Sequence, residues 1–142
     1  MKFSKYITTT WLLANFIHPI VYKIYFLPAY KWNLPVELLQ FWFWGTFFSL
    51  PGYLFSCLIF LTISNSFVPL VLKLVVLILS AGIGVVISVW LLSFVVSARD
   101  HLSFFLQLSI PSIISAVLAI LIRYKQFNQS MNSETYENYL LP

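Results

Sequence analysis

The stretch that decides the fold is Leu70–Val96, LVLKLVVLILSAGIGVVISVWLLSFVV, which carries one charged side chain, Lys73, in 27 residues. A helix of about 20 apolar residues crosses a hydrocarbon core about 30 Å thick. The stretch is therefore long enough to span a bilayer. Of the 142 residues, 61% are hydrophobic and only 8% are charged. Soluble domains carry about 25% charged residues. The sequence therefore predicts an integral membrane protein, with the lipid bilayer as a partner.

Three further apolar runs surround this stretch, and they predict an all-α, polytopic membrane bundle of four transmembrane helices. The predicted spans are about Ile7–Leu27, Leu38–Ile63, Leu70–Val96 and Leu102–Ile122. Their short joins force neighbouring helices to be antiparallel, so residues 1–122 form one transmembrane domain. The first run is the least apolar, and the alternative is three spans plus an N-terminal helix in the membrane interface. The second run contains Pro51 and is longer than a bilayer requires, which predicts a kink or a tilt.

The basic residues near the span ends predict the orientation. With four spans, one side of the membrane holds five of them and the other side three: Lys2, Lys5, Lys73, Arg123 and Lys125 against Lys23, Lys31 and Arg99. Cytoplasmic segments carry the excess of Lys and Arg, so both termini are expected in the cytoplasm. The basic residues are scattered and form no patch or stripe, so direct contact with nucleic acid is not expected.

The sequence predicts no catalytic residues, no metal ligands and no cofactor. The four carboxylates all lie outside the apolar runs. Cys57 lies inside a run without a second cysteine, and we interpret it as a packing residue. Asp100 and His101 are adjacent in a join, but a catalytic triad is recognised by geometry and not by adjacency. Asp100 is better interpreted as the N-cap of the fourth span.

Three spans carry small side chains at helical spacing. The predicted packing residues are Gly45, Ser49, Gly52 and Ser56 in the second span, Ser80, Gly84 and Ser88 in the third, and Ser109, Ser112, Ala116 and Ala119 in the fourth. Membrane helices associate where small residues let their backbones approach. Each stripe therefore predicts a helix contact, either within the chain or with a second copy or a partner protein.

The first span carries a polar face instead. Thr8, Trp11, Asn15, His18 and Tyr22 follow one another at intervals of three or four residues. A polar face in a membrane must point into the bundle or at water. The simpler interpretation is hydrogen bonding between helices, and the alternative is the lining of a path or of a small-molecule site. A proton relay is disfavoured because it needs several ionisable groups in series, and His18 is alone.

The polar segment 123–142 is predicted to be a flexible cytoplasmic tail, whose first residues can extend the fourth helix. It ends in aromatic and aliphatic residues, Tyr136, Tyr139, Leu140 and Leu141. Such an ending behind a polar linker suits docking to a partner protein. A frayed terminus is the alternative, since the ends of most domains are poorly ordered.

In size and in its layout of four spans, the chain resembles the small membrane immunity proteins of bacteriocin systems and the membrane subunits of bacterial defence systems. This resemblance implies a bacterial cytoplasmic (inner) membrane and a role in immunity or defence. The small-residue stripes, the short joins and the lack of catalytic motifs favour a non-enzymatic subunit that works through helix packing, as a homo-oligomer or with a protein partner. A small channel or transporter lined by the polar face of the first span is the second hypothesis. A membrane enzyme is the third and the least favoured.

Four spans with cytoplasmic termini can be tested by cysteine labelling. In a Cys57→Ser background, single cysteines at Ser4 and Ser133 should react from the cytoplasmic side, and one at Ala29 from the opposite side. If the N-terminal helix lies in the interface, Ala29 will instead label from the same side as Ser4.

Overall fold

The computed structural model describes residues 2–26, 34–64, 66–96 and 101–131, and in these ranges the chain is helical apart from short turns. The helices are α1 (Lys2–Phe26), α2 (Leu34–Phe48), α3 (Leu50–Ser64), α4 (Leu70–Val96), α5 (His101–Ile122) and a short α6 (residues 124–131). Helix α1 packs along α5, α3 packs along α4, and α4 joins the two pairs through α5. The all-helical fold class is confirmed for these residues.

Two helices are long and apolar enough to cross a membrane, namely Leu70–Val95 within α4 and Phe105–Ile122 within α5. Helices α2 and α3 reach this length only when they are counted as one bent span, which gives up to three. Helix α1 is not among these candidates, since lysines at both ends and polar residues along it lower its hydropathy. The apolar helices support an integral membrane protein with two or three candidate spans.

Helices α2 and α3 meet at Ser49 with a bend of 53° between their axes. Proline has no backbone N–H, and its ring collides with the carbonyl group four residues earlier, so the helix breaks just before Pro51. The backbone N–H of Gly52 donates instead to Oγ of Ser88 on α4, at 2.9 Å. The bend expected from the sequence is therefore confirmed, and a side chain of a neighbouring helix satisfies a polar group at the break.

The backbones of α3 and α4 touch at two glycines. A Cβ atom placed on Gly52 would lie 2.7 Å from the carbonyl oxygen of Gly84, and a Cβ on Gly84 would lie 3.0 Å from the Cα of Gly52. Contacts this short leave no room for a side chain on either residue. The two helices can therefore approach this closely only because both positions are glycine.

The charged residue of the deciding stretch is buried at the end of a helix. The Nζ atom of Lys73 donates to the backbone carbonyl of Ser64 at 3.1 Å, and Lys73 is only 6% exposed. Ser64 is the last residue of α3, where carbonyl groups lack partners within the helix and a positive charge is favourable. The Lys73 side chain thus links the start of α4 to the end of α3.

A cluster of large side chains closes the end of the bundle where α1 begins and α5 ends. The rings of Tyr6, Phe60 and Phe127 lie 5.5–6.1 Å apart, and each ring is at most 2% exposed. The Arg123 guanidinium lies 5.3 Å from the Tyr6 ring centre, a cation–π contact, and also donates to the Thr9 hydroxyl. We call this set, with the buried Met131, the end cluster.

The end cluster includes residues of the predicted tail. Residues 123–131 continue the bundle, with Phe127 and Met131 buried against α1 and α3. The sequence placed the boundary of the tail at residue 123, before these contacts. The predicted docking residues Tyr136, Tyr139, Leu140 and Leu141 lie outside the described residues.

The glycine contact predicts a difference between two alanine variants of α4. At Gly84, an added Cβ meets backbone atoms of Gly52, whereas at Gly82 it meets nothing within 4 Å. Both variants gain the same helix propensity, about 1 kcal/mol, so any difference between their free energies of unfolding comes from the contact. We expect Gly84→Ala to lower the free energy of unfolding by about 1–3 kcal/mol relative to Gly82→Ala. Thermal or denaturant unfolding in detergent measures this, and equal stability of the variants would contradict the contact.

Candidate binding cavity

The helices line a partly open cavity of about 340 Å³ between them. Small-molecule sites in proteins have volumes of about 300–1,000 Å³, so this cavity is large enough for a ligand. Its walls are mostly apolar and come from all of α1 to α5: Tyr6, Ile7, Thr10, Trp11, Ala14, Asn15, His18, Trp44, Gly45, Phe48, Ser49, Gly52, Tyr53, Ser56, Leu77, Ala81, Val85, Ser88, Val89, Leu92, Leu108, Ser112, Ala116 and Ile120. The cavity therefore lies along the axis of the bundle.

The cavity is elongated. On α1 its wall runs from Tyr6 to His18, which at 1.5 Å per residue is about 18 Å. On α5 the wall covers the same length, from Leu108 to Ile120. The Tyr6 end is closed by the end cluster, whereas the opposite end is lined by His18 and Trp44. We call these the closed end and the His18 end.

A group of hydrogen bonds forms one polar wall of the cavity. The indole Nε1 of Trp11 donates to Oγ of Ser49 at 2.9 Å, and this Oγ lies 3.2 Å from Oδ1 of Asn15. The side-chain amide of Asn15 in turn donates to the carbonyl of Trp11 at 3.0 Å. The three side chains thus satisfy one another, and they fix α1 against Ser49, the residue at which α2 and α3 meet.

A second set of contacts ties α1 to α3. The hydroxyl groups of Thr8 and Tyr53 are 3.0 Å apart, and the rings of Trp11 and Tyr53 lie 4.7 Å centre to centre. Ring pairs at this separation add to the energy of burial. Sequence reasoning missed Tyr53, which directly follows Gly52 just after the bend between α2 and α3.

His18 differs from Trp11, Asn15 and Ser49 of the polar wall, which bond to one another. Its Nε2 atom is buried and has no hydrogen-bond partner among the described residues. Its ring centre lies 6.1 Å from that of Tyr22. An imidazole nitrogen donates or accepts a hydrogen bond according to its tautomer. The His18 end therefore has a buried nitrogen atom that can form a further hydrogen bond.

The structure gives the predicted site residues several different positions. On α1, Asn15 and His18 line the cavity, Thr8 is bonded to Tyr53, and Tyr22 is partly buried beyond the cavity wall. The small residues that line the cavity are Gly45, Ser49, Gly52, Ser56, Ser88, Ser112 and Ala116. Gly84 is in contact with Gly52, and the hydroxyl of the buried Ser80 donates to the carbonyl of Leu77.

The small-residue stripes thus face one another within a single chain. They meet closely at Gly52 and Gly84, and elsewhere they leave space between the helices. The stripes predicted close packing, and a lined path or small-molecule site was expected only as the alternative for the polar face of the first span. The stripes on several spans could have predicted the cavity, because small side chains on all sides of one axis leave unfilled volume between the helices.

No family model matches the chain, and no curated protein or solved structure shows significant similarity to it. Among the described residues, no group of three or more His, Cys, Asp or Glu could hold a metal ion. The candidate site is therefore defined by its shape and by its polar wall.

The polar wall predicts the effect of removing one hydroxyl group. Ser49→Ala leaves the buried Trp11 and Asn15 groups without their shared partner, and we expect a loss of about 1–3 kcal/mol in the free energy of unfolding. Thr62→Ala is the matched control, because the Thr62 hydroxyl is exposed and donates only to the carbonyl of Leu58 in its own helix. Unfolding measured in the same detergent should separate the variants. A cost at Thr62 as large as that at Ser49 would argue against the shared network.

Proposed function

We propose that this chain is a non-enzymatic integral membrane protein that works through helix packing in the bilayer, as a homo-oligomer or as the membrane subunit of a complex. The observation that supports association is an open face on α4 around Gly82. A Cβ placed on Gly82 would have no other atom within 4 Å. Val75, Leu79 and Val86 lie on the same side of the helix and are 39–60% exposed.

The geometry of this face suits a second helix. Small residues at a helix surface let another backbone approach closely, and large apolar neighbours then pack on both sides. The inner stripes face one another within the chain, so a partner must use an outer face. Among the glycines of the chain, Gly82 is the one whose added Cβ would meet open space. We call Val75, Leu79, Gly82 and Val86 the Gly82 face.

The proposal includes four spans, with α1 as the first. Between residues 12 and 24, the exposed side chains of α1 are apolar, with Leu12, Phe16, Ile20 and Ile24 being 39–69% exposed. Its polar residues Thr10 and Asn15 are buried against the other helices. A helix lying in the interface would turn its polar side to water. An apolar outside with a polar inside instead supports a helix surrounded by lipid.

The orientation and the location belong to the same proposal. The excess of basic residues on one side supports cytoplasmic termini. The resemblance in size and layout to immunity and defence membrane proteins supports a bacterial inner membrane and a role of that kind. For segment 132–142, docking of Tyr136, Tyr139, Leu140 and Leu141 to a partner remains part of the proposal.

The channel or transporter is less well supported. Asn15 and His18 do line a cavity, as a path would require. However, Tyr6, Phe60 and Phe127 close one end of it with rings that are at most 2% exposed. Conduction would require the end cluster to separate, at the cost of its buried contacts.

Native mass measurement in a mild detergent tests the association. We expect a multiple of the chain mass of 16.5 kDa, and we expect Gly82→Leu to shift the population toward the monomer, because the larger side chain fills the site of closest approach. Val95→Phe enlarges a side chain on the other side of α4, where Val95 is 73% exposed, and should leave the mass unchanged. A wild-type chain that is monomeric in detergent and in lipid nanodiscs would contradict self-association.

A further inference from the structure

We propose that the cavity is a binding site for a neutral, chain-shaped lipophilic molecule that carries one hydroxyl or carbonyl group. In this arrangement the hydrocarbon chain lies toward the closed end, and the polar group lies at the His18 end. The inference concerns the interior of one chain, and it goes beyond the proposed association, which uses the outer Gly82 face.

The volume and the shape of the cavity favour a single chain over a compact molecule. An engineered apolar cavity of about 150 Å³ is enough to hold benzene, and this cavity has about 340 Å³. The volume is spread over about 18 Å along α1. An elongated space of this length matches an extended hydrocarbon chain.

The closed end determines which part of the ligand lies there. Ile7, Leu77 and Ile120 line this end and belong to the buried hydrophobic cluster. These three apolar side chains favour hydrocarbon beside them. The Tyr6 hydroxyl at the same end is buried without a hydrogen-bond partner in the described part of the chain, and the Tyr6 ring packs against Phe60 and Phe127. The blind end requires the ligand to stop there.

The wall composition determines the charge of the ligand. The described residues that line the cavity include no Lys, Arg, Asp or Glu. A charge buried without a partner costs far more than a buried neutral group. Fatty carboxylates and alkylammonium ions are therefore disfavoured, and a neutral alcohol, ketone or ester fits.

The unpartnered nitrogen of His18 determines where the polar group binds. Nε2 of His18 is buried without a hydrogen-bond partner in the described part of the chain. The neighbouring side chains Trp11, Asn15 and Ser49 already bond to one another. At its own end of the cavity, His18 can thus gain a hydrogen bond from a ligand without losing one.

Three probes with the same chain test the ligand class, namely dodecan-1-ol, dodecane and dodecane-1-sulfonate, which is charged at every pH. The protein is purified in a steroid-based detergent, because detergents with alkyl chains would compete for the site. Binding of tritiated dodecan-1-ol is measured directly, and the other two probes are measured as competitors. We expect saturable binding of one alcohol per chain, with both competitors at least about tenfold weaker, since one hydrogen bond and one buried charge separate them.

Two valines of α4 give a matched pair that tests the location. Val85 lines the cavity, whereas Val95 is 73% exposed on the outside of the same helix and lies away from the Gly82 face. Val85→Phe should fill the cavity and abolish alcohol binding, and Val95→Phe should leave binding unchanged. If Val85→Phe does not fold, Ala116→Leu fills the cavity from α5 and serves the same purpose.

A variant of His18 tests the position of the polar group. His18→Leu should weaken dodecan-1-ol about tenfold and leave dodecane nearly unchanged, because only the alcohol uses the nitrogen. An equal loss for both probes would show a role in shape alone and would overturn the assignment of the polar group. The absence of saturable binding, equal effects of the two valine variants, or tighter binding of the sulfonate would each overturn the proposal. None of these results depends on the oligomeric mass.

Discussion

The contact between the backbones of α3 and α4 is the constraint on which the rest of the bundle depends. Gly52 and Gly84 approach to a distance that leaves no room for a Cβ atom on either residue. The contact lies just after the break at Pro51, where Gly52 also donates its N–H to Ser88. A backbone group freed by a proline must find a partner in a medium without water. The kink therefore determines where α4 can lie, and α5 and α1 pack against the pair.

The cavity is a consequence of this arrangement. Where α3 and α4 touch, glycines allow contact, but further along the axis the same stripes present Ser56, Ser112 and Ala116 to one another with α1 on the remaining side. These side chains are too short to meet across the axis. Side chains that permit close approach between two helices thus leave unfilled volume where several helices converge. The large residues Tyr6, Phe60 and Phe127 fill only one end.

The inside and the outside of this bundle are reversed relative to a water-soluble one. Thr10, Asn15 and Ser88 are buried, whereas large apolar side chains such as Phe16, Leu79 and Phe94 are exposed. In lipid the outer surface gains nothing from polarity, and every polar group needs a partner inside. The polar wall of α1, the buried Lys73 and the Arg123 contact with Tyr6 are separate solutions to this one requirement.

The sequence by itself determined the helical class, the apolar stretches and the bend near Pro51, because these depend on hydropathy over about 20 residues and on the missing N–H of one proline. It also identified Asn15, His18 and the small-residue stripes as inward-facing candidates. Only the tertiary structure decided which stripes meet, that Gly82 stays on the outside, and that residues 123–131 pack against Tyr6. The helical period determines which residues share a face, but it does not determine which face of another helix lies opposite. A cavity depends on how the faces of several helices are placed opposite one another.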